Sequence, residues 1–119
     1  MQTSTKKTRY IILDDRMGVF LGTYSGEDLG QLEDTKLYAC FAANNPFGLT
    51  TACSFTDPRI AMDYIADTFA PHKRSGLNIA PVESETDYPT VIDIIKSGHA
   101  DATYDMLDAM FEIENPTIH

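Results

Sequence analysis

The chain has 119 residues, 43% hydrophobic and 23% charged, which is enough for one domain with a real core and excludes wholesale disorder. Eighteen Asp and Glu against nine Lys and Arg give a formal charge of −9 and a pI near 4.5. Such a chain repels nucleic-acid phosphates, so direct DNA or RNA binding is disfavoured unless charge is strongly segregated, and the ordinary use of the acidity is solubility. No stretch reaches the roughly 18 apolar residues of a membrane span. The basic start, Lys6-Lys7, leads into an apolar run too short for a signal peptide, and two cysteines make no disulfide scaffold. The expectation is a cytoplasmic protein without a membrane partner.

In chain order, residues 1–8 are polar and read as a loose tail, with Lys6, Lys7 and Arg9 a solvated basic cluster. Tyr10-Ile11-Ile12-Leu13 and Val19-Phe20-Leu21 flank the turn residues Asp14 to Gly18, a β-hairpin signature. A type I turn over Asp15–Gly18, with Gly18 left-handed, puts Leu13 opposite Leu21 on one face and Tyr10, Ile12 and Phe20 on the other. A hairpin apolar on both faces is central in its sheet and needs cover on each side. Residues 25–34 read as a mobile connection with a short helical piece begun at Ser25.

Segments 36–42 and 49–55 read as a second hairpin around Asn45-Pro46-Phe47-Gly48, which has type I turn chemistry. A four-residue loop sets Cys40 opposite Cys53, where a disulfide is geometrically conceivable. A bulge at Gly48 instead sends the two to different faces. Two small buried thiols are the favoured reading.

Asp57-Pro58 caps and starts a helix whose stripe is Ile60, Ala61, Tyr64, Ile65 and Phe69, stopped by Pro71. His72-Lys73-Arg74-Ser75-Gly76 is a basic exposed loop before a strand at 77–82, which Pro81 marks as lying at an edge or ending there. A second helix runs from Pro89 to Ser97 with Gly98 as its stop. A third runs from about His99 to Glu112, with Ala100, Tyr104, Leu107 and Phe111 on one face and Met110 and Thr103 at its margin. Residues 113–119 read as a loose tail.

Asp101, Asp105, Asp108 and Glu112 form a stripe on the opposite margin of that third helix. Neighbouring carboxylates there repel by a few tenths of a kcal/mol per pair, and no Lys or Arg follows Lys96. A basic partner relieves that repulsion, so the stripe is a candidate partner-binding surface; a solvated helix face is its ordinary alternative. Phe47, at a turn tip, is a candidate partner anchor. The carboxylates Asp14-Asp15, Glu83/Glu85/Asp87 and Asp101/Asp105 with His99 lack the spacing of calcium or zinc sites, so no metal or cofactor is expected. Cys40 or Cys53 with His72 or His99 lacks any flanking catalytic signature, and no phosphate or dinucleotide loop is present, so no enzyme is expected. The strand aromatics Tyr10, Phe20, Tyr38, Phe41 and Phe55 lack the basic neighbours of an RNA-stacking sheet and read as core.

The tyrosine-led strand, the Gly18-Val19-Phe20-Leu21-Gly22 strand, and Phe55-Thr56-Asp57-Pro58 with its helix resemble small uncharacterised accessory proteins of phages and mobile elements. The likeness covers about half the chain and transfers no site residue. It implies a context, in which such proteins bind and block a host protein.

The sequence therefore predicts one α+β domain over 1–119, in the order β-β-β-β-α-β-α-α. Its sheet is mostly antiparallel, of about five strands, packed by three helices. The leading functional expectation is a non-enzymatic acidic protein engaging a basic surface of a partner protein, with a phage-type inhibitor or nucleic-acid mimic as its specific form. The alternatives are a small-molecule-binding or small enzymatic domain with a pocket between sheet and helices, and a self-assembling structural protein.

Overall fold

The computed structural model describes residues 5–28, 30, 31, 33–43, 45 and 49–103. It is an α+β domain in the order β1 (Lys7–Asp14), β2 (Gly18–Ser25), β3 (Leu37–Phe41), β4 (Ser54–Phe55), α1 (Pro58–Thr68), β5 (Leu77–Ser84) and α2 (Val91–Lys96). Single 3-10 turns follow α1 at Pro71–Lys73 and α2 at Ala100–Thr103. The expected sheet of five antiparallel strands is present, with two α-helices among the described residues. Where a third helix is expected from about His99, the described residues form only the 3-10 turn Ala100–Thr103, and positions 104–112 of that expectation lie outside the described residues.

The sheet is organised on β1. β5 pairs it along its whole length, from Lys7↔Ser84 to Asp14↔Leu77. The opposite edge is shared: β2 pairs at Leu13↔Val19 and Asp14↔Gly18, and β4 at Tyr10↔Phe55 and Ile11↔Ser54. β1 thus starts at Lys7, inside the stretch expected to be loose. The Asp14 carboxylate closes the first turn by accepting the amides of Arg16 (2.8 Å) and Met17 (2.9 Å), and Gly18 takes φ 77° as expected. Leu13 faces Val19, not Leu21. The shift of two residues keeps every side chain on its predicted face.

The expected second hairpin is not formed. β3 pairs β2 and β4 pairs β1, so Cys40 lies beside Gly22 and the two cysteines are free. Residues 46–48 of the expected turn lie outside the described residues; pairing partners are chosen by nonlocal burial, and β2 had an open edge to offer. The β2–β3 register shifts between Phe20 and Gly22. Gly22 sits there at φ 131°, and a Cβ would come within 2.7 Å of the Tyr24 ring; a side chain here costs about 1–3 kcal/mol of backbone strain.

Both faces of the β1–β2 hairpin are covered, as its patterning requires. One face buries Ile11, Val19, Leu21, Ala80 and Val82 under Val91 and Ile94 of α2. The other buries Ile12, Phe20, Phe41 and Phe69 beside Tyr64 and Ile65 of α1. Each fully buried aliphatic or aromatic side chain contributes roughly 1.5–3 kcal/mol. Cys40 belongs to the first cluster and Cys53 to the second, which separates the thiols across the sheet.

Asp57 caps α1 by accepting the Arg59 amide at 2.7 Å, with Pro58 at the first helical position. Ile60, expected in the core stripe, is half exposed (50%) because the helix makes its closest approach at Ala61, which is fully buried. Arg74 is not part of an exposed basic loop either. Its guanidinium donates to the carbonyls of Phe69 (2.8 Å) and Ala66 (2.7 Å), satisfying the C-terminal end of α1. Arg9 likewise turns inward, donating to Ser54 Oγ at 2.8 Å and pairing with Asp87 at 3.5 Å.

β5 is an edge strand, as Pro81 predicts. Its outward groups are met by the chain after α2: Ser97 Oγ accepts the Glu83 amide at 3.0 Å, and His99 Nε2 lies 3.0 Å from the Pro81 carbonyl. α2 itself is held by a capping box in which Thr90 and Asp93 exchange side-chain and backbone bonds. Ser84 Oγ, buried at the end of β5, also donates to Asp93 at 3.0 Å. Partial burial alone raises the Asp93 carboxyl, but the Thr90 amide, the Ser84 and Thr90 hydroxyls and nearby Lys6 outweigh it and leave it below its ordinary value.

A carboxyl depressed in the folded state contributes stability above its unfolded value and loses it as pH falls through the folded value. Acid unfolding is therefore expected to lose a proton-linked step in Asp93→Asn, seen as a flatter dependence of the denaturation midpoint on pH below about 4. An unchanged acid limb contradicts this role.

Candidate functional site

α1 packs chiefly over β1, β4 and β5. Among the described residues no helix covers the β3 half of the same face, and an open cleft of about 780 Å³ lies there. One wall is β3, whose alternate residues Leu37, Ala39 and Phe41 point to a common side. The other wall is the chain leaving α1, from Thr68 through Ala70 to Lys73, and the start of β5 at Leu77. Asp14, Arg16 and Met17 of the first turn close one end.

The floor is rigid because it is the edge of the aromatic core. Phe41 and Phe69 are each 8% exposed, with ring centroids 6.0 Å apart. Both stack against Phe20, at 5.1 and 5.6 Å. Tyr64 continues the cluster toward Phe55, and its hydroxyl lies 2.6 Å from Thr23 Oγ1. At the mouth Leu37 is 74% exposed, so an apolar surface runs from solvent to the core.

The lining includes Arg16, His72 and Lys73, all exposed. None of these three side chains makes a hydrogen bond or ion pair among the described residues. The lining carboxylate, Asp14, is occupied by the turn amides. Arg16 and Lys73 are two of only nine Lys and Arg in a chain of charge −9, so their meeting with His72 at one cleft sets this place apart from the acidic remainder.

Of the residues expected to bind a partner, Asp101 is exposed in the 3-10 turn after α2. Phe47, Asp105, Asp108 and Glu112 lie outside the described residues. The possible metal groups are dispersed. Asp14 serves its turn, Asp87 pairs with Arg9, and His99 meets the Pro81 carbonyl. No group of three His, Cys, Asp or Glu side chains stands close enough for an ion among the described residues, and none of the described helices is long and apolar enough to cross a membrane.

Burial pushes both thiols up; at Cys53 the nearby Arg9 works against that rise. Tyr38 donates to Asp34 at 2.7 Å, and this bond, with some desolvation, raises its phenol. Sequence reasoning allowed a pocket between sheet and helices as an alternative but did not give the position or lining of this cleft. Its signals were present separately, in the i, i+2, i+4 set on β3 and in the basic residues after α1, but nothing in the linear order joins them.

No protein-family model matches the chain, and neither a curated protein nor a solved structure does. Function is therefore argued from the site.

With burial holding the thiols protonated, Cys40 and Cys53 are expected to alkylate at least about tenfold more slowly in the native protein than in denaturant. The intact mass is expected to correspond to two free thiols. A mass lower by two hydrogens, or equal native and denatured rates, contradicts this arrangement.

Proposed function

We propose that this protein works by binding rather than by catalysis, and that the cleft between β3 and the end of α1 takes a small molecule. The observation that carries this reading is the combination of a braced apolar floor, Phe41 and Phe69, with exposed polar groups at its rim, in a space of about 780 Å³. Ligand sites are commonly clefts of roughly 300–1,000 Å³ with mostly apolar linings and a few convergent polar groups. The raised thiols work against a nucleophilic role for either cysteine.

A ligand of the cleft stabilises the native state by mass action, by about 2.7 kcal/mol at one hundred times its dissociation constant. A thermal-shift screen of small molecules is expected to give hits on the wild-type chain. Those hits are expected to be lost in Ala39→Trp, whose side chain fills the cleft. Hits that survive this change contradict the cleft reading.

A second reading keeps the acidic surface as the working part, engaging a basic surface of a partner protein. Its support is the charge of −9 and the exposure of Asp101. In the phage-type context, the partner is a host nucleic-acid-handling or defence protein, and the acidic face acts as a nucleic-acid mimic. Replacing Asp101, Asp105 and Asp108 together by Asn is expected to weaken capture of such a partner at low salt while the thermal melt stays unchanged. Unaltered capture contradicts the stripe.

A further inference from the structure

Resting on the cleft reading above, we infer that the ligand is a small organic anion with a compact aromatic or branched apolar body. Two sets of residues on opposite parts of the cleft lead to this class. On the floor and β3 wall, Leu37, Ala39, Phe41 and Phe69 have side chains made only of carbon. The body of the ligand therefore gains by leaving water, and the tilted Phe41 and Phe69 rings present edges and faces suited to another ring.

The rim supplies the charge preference. Arg16 comes from the first turn, and His72 and Lys73 from the 3-10 turn after α1, so two separate elements bring their donors to one space. These side chains have no protein partner among the described residues. Arg74, by contrast, is spent on the carbonyls of Ala66 and Phe69, which leaves the Lys73 ammonium and the His72 imidazole as the donors of that turn. A guanidinium, an ammonium and an imidazole provide donors for a carboxylate or phosphate, and charge-assisted bonds are the strong ones.

Asp14 bounds the site. Its Oδ1 is held by the Arg16 and Met17 amides, and its negative charge sets a negative head group against the Arg16, His72 and Lys73 donors rather than against the carboxylate. The net charge of the chain works against anions at long range. The local cations therefore decide affinity, and the apolar body separates true ligands from simple anions. A neutral apolar molecule gains only the floor, and inorganic phosphate only the rim.

The test is calorimetric titration of the full chain with 1-naphthoate, 1-naphthyl phosphate and the neutral 1-naphthalenemethanol. Saturable binding of at least one anion is expected, at least about tenfold tighter than the alcohol; the order of the two anions identifies the head group. In the double variant Arg16→Gln, Lys73→Gln, anion affinity is expected to fall by about tenfold or more while the alcohol is unaffected. The charge-keeping pair Arg16→Lys, Lys73→Arg is expected to retain most of it, a rescue that a merely structural role does not give. Both positions are exposed, so an unchanged melting curve verifies the fold of each variant. Equal affinity for alcohol and anions, or anion affinity unmoved in the double variant, overturns the ligand class and leaves the cleft reading standing. Absence of binding by all three overturns both.

Discussion

The fold depends on β1 being shared by three neighbours. One edge is given wholly to β5, and the other is divided between β2 near Leu13 and β4 near Tyr10. Through its centre such a strand is paired on both edges and covered on both faces, which is why Ile11 and Ile12 are both fully buried although they point in opposite directions, while Lys7 and Thr8 at its start are exposed. Everything else follows from supplying two apolar layers for it. α2 meets the Ile11 side and α1 the Ile12 side.

The two layers are unequal in reach. α1 spans eleven residues and lies toward β1, β4 and β5. β3, added outside β2, extends the sheet beyond that helix. Its inward-facing residues grade from Phe41, packed in the aromatic cluster, to Leu37 at the solvent. The cleft is thus a geometric consequence of a sheet wider than the helix covering it. Arg74, by tying the 3-10 turn to the end of α1, holds the wall that faces β3 and sets His72 and Lys73 at the rim. Loops fixed by a rigid frame are the usual place for binding groups.

Much of the fold was legible in the residues. The double-sided apolar run at Tyr10–Leu13 gave the central strand, Asp57-Pro58 gave the helix start, and Pro81 gave the edge, because each rests on local sterics or local hydrogen bonding. The misreadings were nonlocal. The chain reverses near Asn45, yet which strand β3 joins depends on the free edge of β2, and turn chemistry carries no information about that. Arg9 and Arg74 read as solvated because the carbonyls and hydroxyl that receive them are up to 45 residues away or belong to a helix end. The cleft joins positions 14–17, 37–41 and 68–77, and only the folded sheet brings these together. The acidic stripe was legible as a pattern, but three of its four residues lie outside the described residues.

The central claim is that the cleft between β3 and the end of α1 is a binding site for a small molecule. Backbone amide chemical shifts, followed by NMR as 1-naphthoate or 1-naphthyl phosphate is added to the labelled chain, test it most directly. The account predicts saturable shifts concentrated on Arg16, Leu37, Ala39, His72 and Gly76, residues of the turns and strand that line the cleft. Shifts confined to the far face, around Val91 and Ile94 of α2, or none at any position, would contradict it.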